Sequence, residues 1–269
     1  MLHKMYKYNN IGNAYCGRGL KDYFNAEGMT IGAPTGGWYS KISNRSFGAE
    51  GGQSFPNRRI TAHLDSDNKP YLAMKKGNFA DDYPYFKLVD LSIASPYVIP
   101  ISNYFNTTGF TIQATLTYEQ LSNYCGILGL HDANQPTGLV FGQYVNGNIY
   151  FGLYPINGQE FSASVAQGGF PAVKFNVAMM YRYGYHYVSG LTEGRVYLYI
   201  NGLVETSIAV PNNWSWTNNL GISLGYAYNA DNRYMKGNLY SLLLYDEALN
   251  DMEIHHNYMV DKRKYLIPN

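Results

Sequence analysis

Residues 175–205 read FNVAMMYRYGYHYVSGLTEGRVYLYINGLVE. Within them Val196, Leu198 and Ile200 alternate with Tyr197 and Tyr199, stop at Asn201-Gly202, and resume at Leu203 and Val204. Period-two alternation around an Asn-Gly pair is the strongest short-range signal for a β-hairpin, because both residues tolerate the positive φ of a type I′ turn. Further along, residues 237–257 (GNLYSLLLYDEALNDMEIHHN) hold an apolar strand that breaks at Asp246 and gives way to a short helical pattern. Leu249, Met252 and Ile254 are expected on the inward side of that helix, with Asp246 or Asn250 as its cap.

The strand pattern repeats upstream. Residues 86–93, 110–116, 125–130, 139–145 and 149–154 read as strands, the last two joined by a second tight hairpin at Asn146-Gly147. Residues 173–187, 220–226 and 239–245 continue the series. Strands at short, regular spacing with almost no helical period predict an all-β sandwich of two antiparallel sheets and a short C-terminal helix. Residues 32–69 are rich in Gly, Pro, Asn and Ser and read mostly as loops. Residues 1–18 are polar and aperiodic and read as an arm ordered by partners, leaving residues 19–269 as one domain.

Composition narrows the function. Charged residues make up 14% of the chain, against about 25% in typical domains. In their place stand 28 Tyr and 28 Gly, and Tyr suits half-buried strands and interfaces alike. A net charge of +1 gives no basic surface for neutralising phosphates, so no nucleic-acid partner is expected. No apolar run approaches the roughly 18 residues of a membrane span. The N-terminus lacks the apolar stretch of a secretory signal, so the protein is expected to be made and kept inside a cell, or to leave it by lysis or assembly. Cys16 and Cys125 fit no zinc pattern; they are two free thiols or one bridge.

The Val196–Gly202 strand and the Glu247–Ile254 segment resemble the final third of laminin-G-like domains of the concanavalin A-like lectin/glucanase superfamily. There a strand reading V-x-L-Y-V-N-G precedes a last strand and an R-A-L-S-x-x-E-I helix. Fainter matches reach back through LKDYFNAEG at residue 20, the Gly37–Asn44 element, Asp81, Asp82 and Tyr83, and Phe110-Thr111-Ile112, covering roughly residues 19–258. The expected fold is therefore a jelly-roll β-sandwich. The ending EIHHNYMVDKRKYLIPN is similar to the E-I-x-x-N-Y-x-x-D-K-x-R-Y-x-I ending of laminin-G-like proteins of bacteriophage tails and related virion parts. Glu253, Ile254, Asn257, Tyr258, Asp261, Lys262, Lys264, Tyr265 and Ile267 carry the match, with Lys264 in place of the usual Arg. This resemblance implies a non-enzymatic virion protein of tail or capsid, assembled in the host cytoplasm. Its arm would meet other virion proteins, its loops a host-surface glycan, and its oligomeric state is left open. A stand-alone carbohydrate-binding lectin is the alternative, and a glycoside hydrolase the third reading.

The residues weigh on these readings unequally. Retaining hydrolysis needs two carboxylates about 5.5 Å apart. The chain has no E-x-D-x-x-E triplet, and Glu119, Glu193, Glu205, Glu247 and Glu253 stand alone. Cys125 in YCGILGL reads as a structural thiol, and His255-His256, about 100° apart on a helix, cannot chelate one metal. Laminin-G-like domains often hold calcium at a sheet rim, and Asp132, Asn134 and Asp231 lie in loops that could supply its oxygens or form ordinary Asx turns. Sequons at Asn44, Asn106 and Asn213 read as chance in so Asn-rich a chain. The aromatic groups stand out. Tyr181, Tyr183, Tyr185 and Tyr187 share one face of a strand, and Trp214 and Trp216 share another among four Asn. Such rings stack on sugar C–H faces, serve protein contacts, or simply cover a loop; the sequence leaves all three open.

Overall fold

The Asn201-Gly202 turn forms as its residues dictate: both take positive φ, 49° and 76°, as a type I′ turn requires. The computed structural model describes residues 14–35, 37–48, 60–74, 86–92, 97–118, 125–130, 138–143, 148–154, 161–165, 173–187, 189–210, 221–225 and 235–268. In chain order the strands are β1 (Leu20–Asn25), β2 (Pro34–Thr35), β3 (Gly37–Tyr39), β4 (Arg45–Gly48), β5 (Ile60–Leu64) and β6 (Pro70–Met74). Then come β7 (Phe86–Asp90), β8 (Tyr97–Val98), β9 (Gly109–Tyr118), β10 (Cys125–Leu130), β11 (Gly138–Gln143) and β12 (Ile149–Tyr154). The last are β13 (Phe161–Val165), β14 (Phe175–His186), β15 (Leu191–Ile200), β16 (Leu203–Val210), β17 (Ile222–Leu224) and β18 (Gly237–Tyr245), followed by the helix α1 (Asp251–Tyr265). The Asn146-Gly147 hairpin tip and the Asp81–Tyr83 match lie outside the described residues.

The strands form two antiparallel sheets, as the alternation predicts. One runs β16-β15-β14-β9-β18-β6-β5-β2, with β1 also on β18; the other runs β13-β12-β11-β10-β17-β7-β4-β3, with β8 on β7. Alternate residues of facing strands meet in one core. From the first sheet come Ile112, Met179 and Leu198; from the second come Leu88, Phe141 and Phe151. Trp38 is fully buried there, and its indole N–H donates to the Asn25 carbonyl at 2.8 Å.

The outward face of the first sheet is covered by α1. Asn250 caps the helix: its side chain accepts from the Glu253 amide while the Glu253 carboxylate accepts from the Asn250 amide. Because the cap is Asn250 and not Asp246, Leu249 is buried before the helix begins. Met252, expected inward, is 79% exposed. Ile254, Asn257, Tyr258, Asp261 and Tyr265 make the buried stripe instead. Met252 lies two residues from Ile254, about 200° around the axis. This stripe is half polar because the strand beneath it is polar. Thr111, Gln113 and Thr115 of β9 are buried on that side, and Gln113 Nε2 donates to Asn176 Oδ1 at 2.8 Å and to the Ile254 carbonyl at 3.2 Å. Asp261 is fully buried and accepts from Thr115 at 2.6 Å, Ser241 at 2.7 Å, Asn176 at 3.2 Å and Tyr15 at 2.6 Å. Burial pushes its pKa up; the bonds from Thr115, Tyr15 and Ser241 and the charge of Lys264 pull the other way without cancelling it.

Residues 14–18, which composition assigns to the arm, are strapped along this helix. The Cys16 amide donates to Asn257 Oδ1 at 2.8 Å, and His256 Nε2 lies 2.8 Å from the Ala14 carbonyl. Arg18 binds Glu253 through Nε and NH2 at 3.0 and 2.6 Å, and Glu247 through NH1 at 2.6 Å. Cys16 is a buried free thiol.

Candidate functional site

The β14–β15 ladder outruns its neighbour. Arg182 pairs with Gly109, the first residue of β9, and the Tyr183 amide still donates to the Thr108 carbonyl at 2.9 Å. Gly184 to His186, by contrast, pair among the described residues only with β15, from Glu193 to Leu191. Phe175, Val177, Met179 and Tyr181 point into the core, and Tyr183 and Tyr185 continue that phase beyond it. The four tyrosines therefore divide. Tyr181 is 1% exposed, its hydroxyl 2.6 Å from where a Cβ on Gly194 would stand, so only glycine fits beneath it. Tyr183, Tyr185 and Tyr187 are 40%, 56% and 91% exposed. The Tyr185 and Tyr187 rings meet edge to face, with centroids 5.2 Å apart and planes at 89°. Leu191, paired with His186 across the turn, is exposed as well.

The other side of the hairpin holds this tip in shape. His186 is buried; its Nε2 lies 3.1 Å from the Glu193 carbonyl and its Nδ1 lies 2.8 Å from the Tyr197 hydroxyl. A carbonyl only accepts, so Nε2 carries a proton there. The turn closes through the Gly190 amide on the His186 carbonyl at 2.8 Å, with Gly190 at φ 69°. Glu193 accepts from Ser189 at 3.0 Å and from Arg195 at 2.9 and 3.1 Å, and the Arg195 bond foremost holds its carboxyl below the usual range. The result is a projecting two-stranded tip with one aromatic side and one polar, internally bonded side.

Residues 94–255, more than half of the chain, match the family model described as the concanavalin A-like lectin/glucanases superfamily. The chain belongs to that superfamily. No curated protein matches it by sequence. Among solved structures it is similar to the binding domain of Paraclostridial Mosquitocidal Protein 1 (TM-score 0.61, 12% identity), across 89% of this chain and 52% of that one. It is also similar to the receptor binding domain of botulinum neurotoxin D (TM-score 0.57, 13% identity, 89% and 52% covered). A third is the botulinum neurotoxin serotype D ligand binding domain in complex with N-acetylneuraminic acid (TM-score 0.57, 12% identity, 89% and 50% covered). The chain spans about half the length of these structures, and at such identities the likeness is one of fold.

A concanavalin A-like sandwich of this superfamily carries lectins and glucanases alike, so the side chains must decide between them. In the second sheet, Leu139, Phe141, Ile149, Phe151 and Leu153 enter the core. Their neighbours in the ladders, Gly126, Gly129, Val140, Gly142, Tyr150 and Gly152, face outward. None of these is a carboxylate. Among the described residues no group of three His, Cys, Asp or Glu is placed to hold a metal ion, and no helix is long and apolar enough to cross a membrane. Trp214 and Trp216, and the calcium candidates Asp132, Asn134 and Asp231, lie outside the described residues. The tail residues Asn257, Asp261, Tyr265 and Ile267 are all buried; they fasten the helix, and their pattern reports the fold. Alternation pointed to the tyrosine hairpin, but the polar support from His186, Glu193 and Arg195 was missed. Its only sequence signal is their outward phase opposite Val196 and Leu198.

Proposed function

We propose that this chain is a non-enzymatic, lectin-like binding module that grips a glycan with the Tyr183, Tyr185 and Tyr187 side of its β14–β15 hairpin. The observation that carries this reading is the exposure of three in-phase tyrosines on a tip braced from behind. Exposing that much aromatic surface without a partner runs against the hydrophobic effect. Aromatic planes stack on sugar rings, and tyrosine hydroxyls bond sugar hydroxyls. The lack of a carboxylate among the described outward residues of β10, β11 and β12 supports binding over hydrolysis, and the sandwich is shared with binding domains of toxins, one of them seen with a sugar acid. A glycan array on the purified chain tests it: selective binding that Tyr185→Ala and Tyr187→Ala abolish is expected. Binding that survives both changes moves the site elsewhere, with Trp214→Ala and Trp216→Ala as the next variants.

The setting we propose is a bacteriophage virion, with residues 1–13 reaching other virion proteins beyond the strap. The likeness of residues 253–267 to virion-protein endings supports it. Particle proteomics at fixed stoichiometry is the test, and a chain lacking residues 2–13 that still enters particles would contradict the attachment role. Calcium at the Asp132, Asn134 and Asp231 loops belongs to the same proposal, and a calcium-dependent rise in Tm lost in Asp132→Ala is its signature.

A further inference from the structure

The side of the hairpin turned away from the tyrosines holds two arginines that are not alike. Arg182 and Arg195 stand directly opposite each other across the ladder, and like charges so placed disfavour the pairing unless something neutralises them. Arg195 is neutralised. Its Nε and NH2 bind Glu193 Oε1 at 3.1 and 2.9 Å, and its NH1 binds Ser207 Oγ at 2.8 Å, so its fork is consumed. Arg182 instead lies over the Tyr197 ring, its guanidinium carbon 5.8 Å from the centroid, and meets no carboxylate among the described residues.

A guanidinium held over a ring can still present its N–H edges in a two-pronged grip on an oxyanion. The ring beneath is itself fixed by the His186 bond to the Tyr197 hydroxyl. Beside Arg182 in the same phase is Gly184, where an added Cβ would meet no heavy atom within 4 Å. The space next to the guanidinium is therefore an open notch on an exposed strand. Glu193 stands across the ladder from Gly184, but its charge is engaged by Arg195 and Ser189. The set of Arg182, Arg195 and Glu193 leaves one positive charge, and Glu193 is engaged by Arg195, so it resides on Arg182.

We propose that this notch binds the anionic group of an acidic glycan, a carboxylate or a sulfate, with Arg182 as the residue that pairs with it. This deepens the lectin reading and rests on it. Past Tyr183, whose amide is held by the Thr108 carbonyl, the β14 edge has among the described residues no strand beside it except β15, and Gly184 offers no side chain there. An extended saccharide then passes over that edge from the tyrosine side to the arginine side.

The test compares matched probes: sialyllactose and a heparin-derived tetrasaccharide as acidic ligands, lactose as the neutral one. The variants are Arg182→Gln, Arg182→Lys and Tyr185→Ala, each checked for an unchanged Tm. Wild type is expected to prefer an acidic probe by about tenfold, as one charge-assisted pair allows. Arg182→Gln should erase that preference and its salt dependence while neutral binding persists, Arg182→Lys should restore part of it, and Tyr185→Ala should weaken every probe. Whether the carboxylate or the sulfate probe responds identifies the source of the anion. An acidic preference that is absent in wild type, or unchanged in Arg182→Gln, overturns the inference and spares the lectin reading. No binding of any probe overturns both.

Discussion

At its Asn201 end the β14–β15 ladder lies beneath α1, and its buried outward groups, Asn176 among them, join Gln113, Thr115, Asn257 and Asp261 in one network. At its His186 end the same ladder runs past β9, and its inward phase emerges as Tyr183, Tyr185 and Tyr187, all three exposed. One end has polar residues covered; the other has aromatic residues uncovered. Stability and recognition are thus separated along a single pair of strands. Substitutions at the two ends should affect different measurements.

The largest effect is expected from Asp261→Ala. It strands the hydroxyls of Tyr15, Thr115 and Ser241 in a buried site, which costs about 2–4 kcal/mol. Urea unfolding should show that loss, with faster amide exchange in residues 14–18, while binding at the tyrosine tip is unchanged. Gly202→Ala follows, at about 1–3 kcal/mol. Gly202 needs its positive φ, and a Cβ there would stand 2.9 Å from both His255 Nδ1 and Tyr258 Cδ1.

Arg18→Gln should cost about 1 kcal/mol near neutral pH, a discounted figure for a partly exposed pair. Its pH dependence has a definite sign. Burial would raise the Glu253 carboxyl, but Arg18 and the Asn250 amide together hold it below the usual range. The stabilisation is therefore present above the unfolded-state pKa and lost as the pH falls through the lower folded value. Wild type and Arg18→Gln should converge in Tm as the solution is acidified. Asp261 runs the other way: its raised folded pKa makes its contribution fullest below the unfolded value and erodes it as the pH climbs. The smallest effect on stability belongs to Tyr185→Ala, within about 0.5 kcal/mol because the ring is exposed, although its effect on binding should be the largest of the set.

Much of this contrast was legible in the residues. The Asn-Gly turn, the alternation of β14, β15 and β18 and the terminal helix all follow from period and turn chemistry. Alternation tells which side of a strand a residue takes, not whether that side is covered. Tyr181 and Tyr183 are indistinguishable in sequence, yet one is core and the other surface because β9 begins at Gly109. The helix stripe was misread at Met252 for a related reason. Its buried face carries Asn257 and Asp261, so hydropathy marks it poorly; the polar strand beneath explains it, and that pairing is visible only in three dimensions. The strap at residues 14–18 was hidden likewise, since its anchors lie more than 200 positions away in sequence.

The central claim is that the uncovered tyrosine tip is where this sandwich meets its ligand. Tyrosine-selective isotope labelling, with the ring signals followed by NMR during titration with the glycan that an array selects, tests it most directly. Shifts confined to Tyr183, Tyr185 and Tyr187, with Tyr181, Tyr245 and Tyr265 unmoved, are the predicted result. Saturable binding that leaves those three rings unperturbed would contradict it.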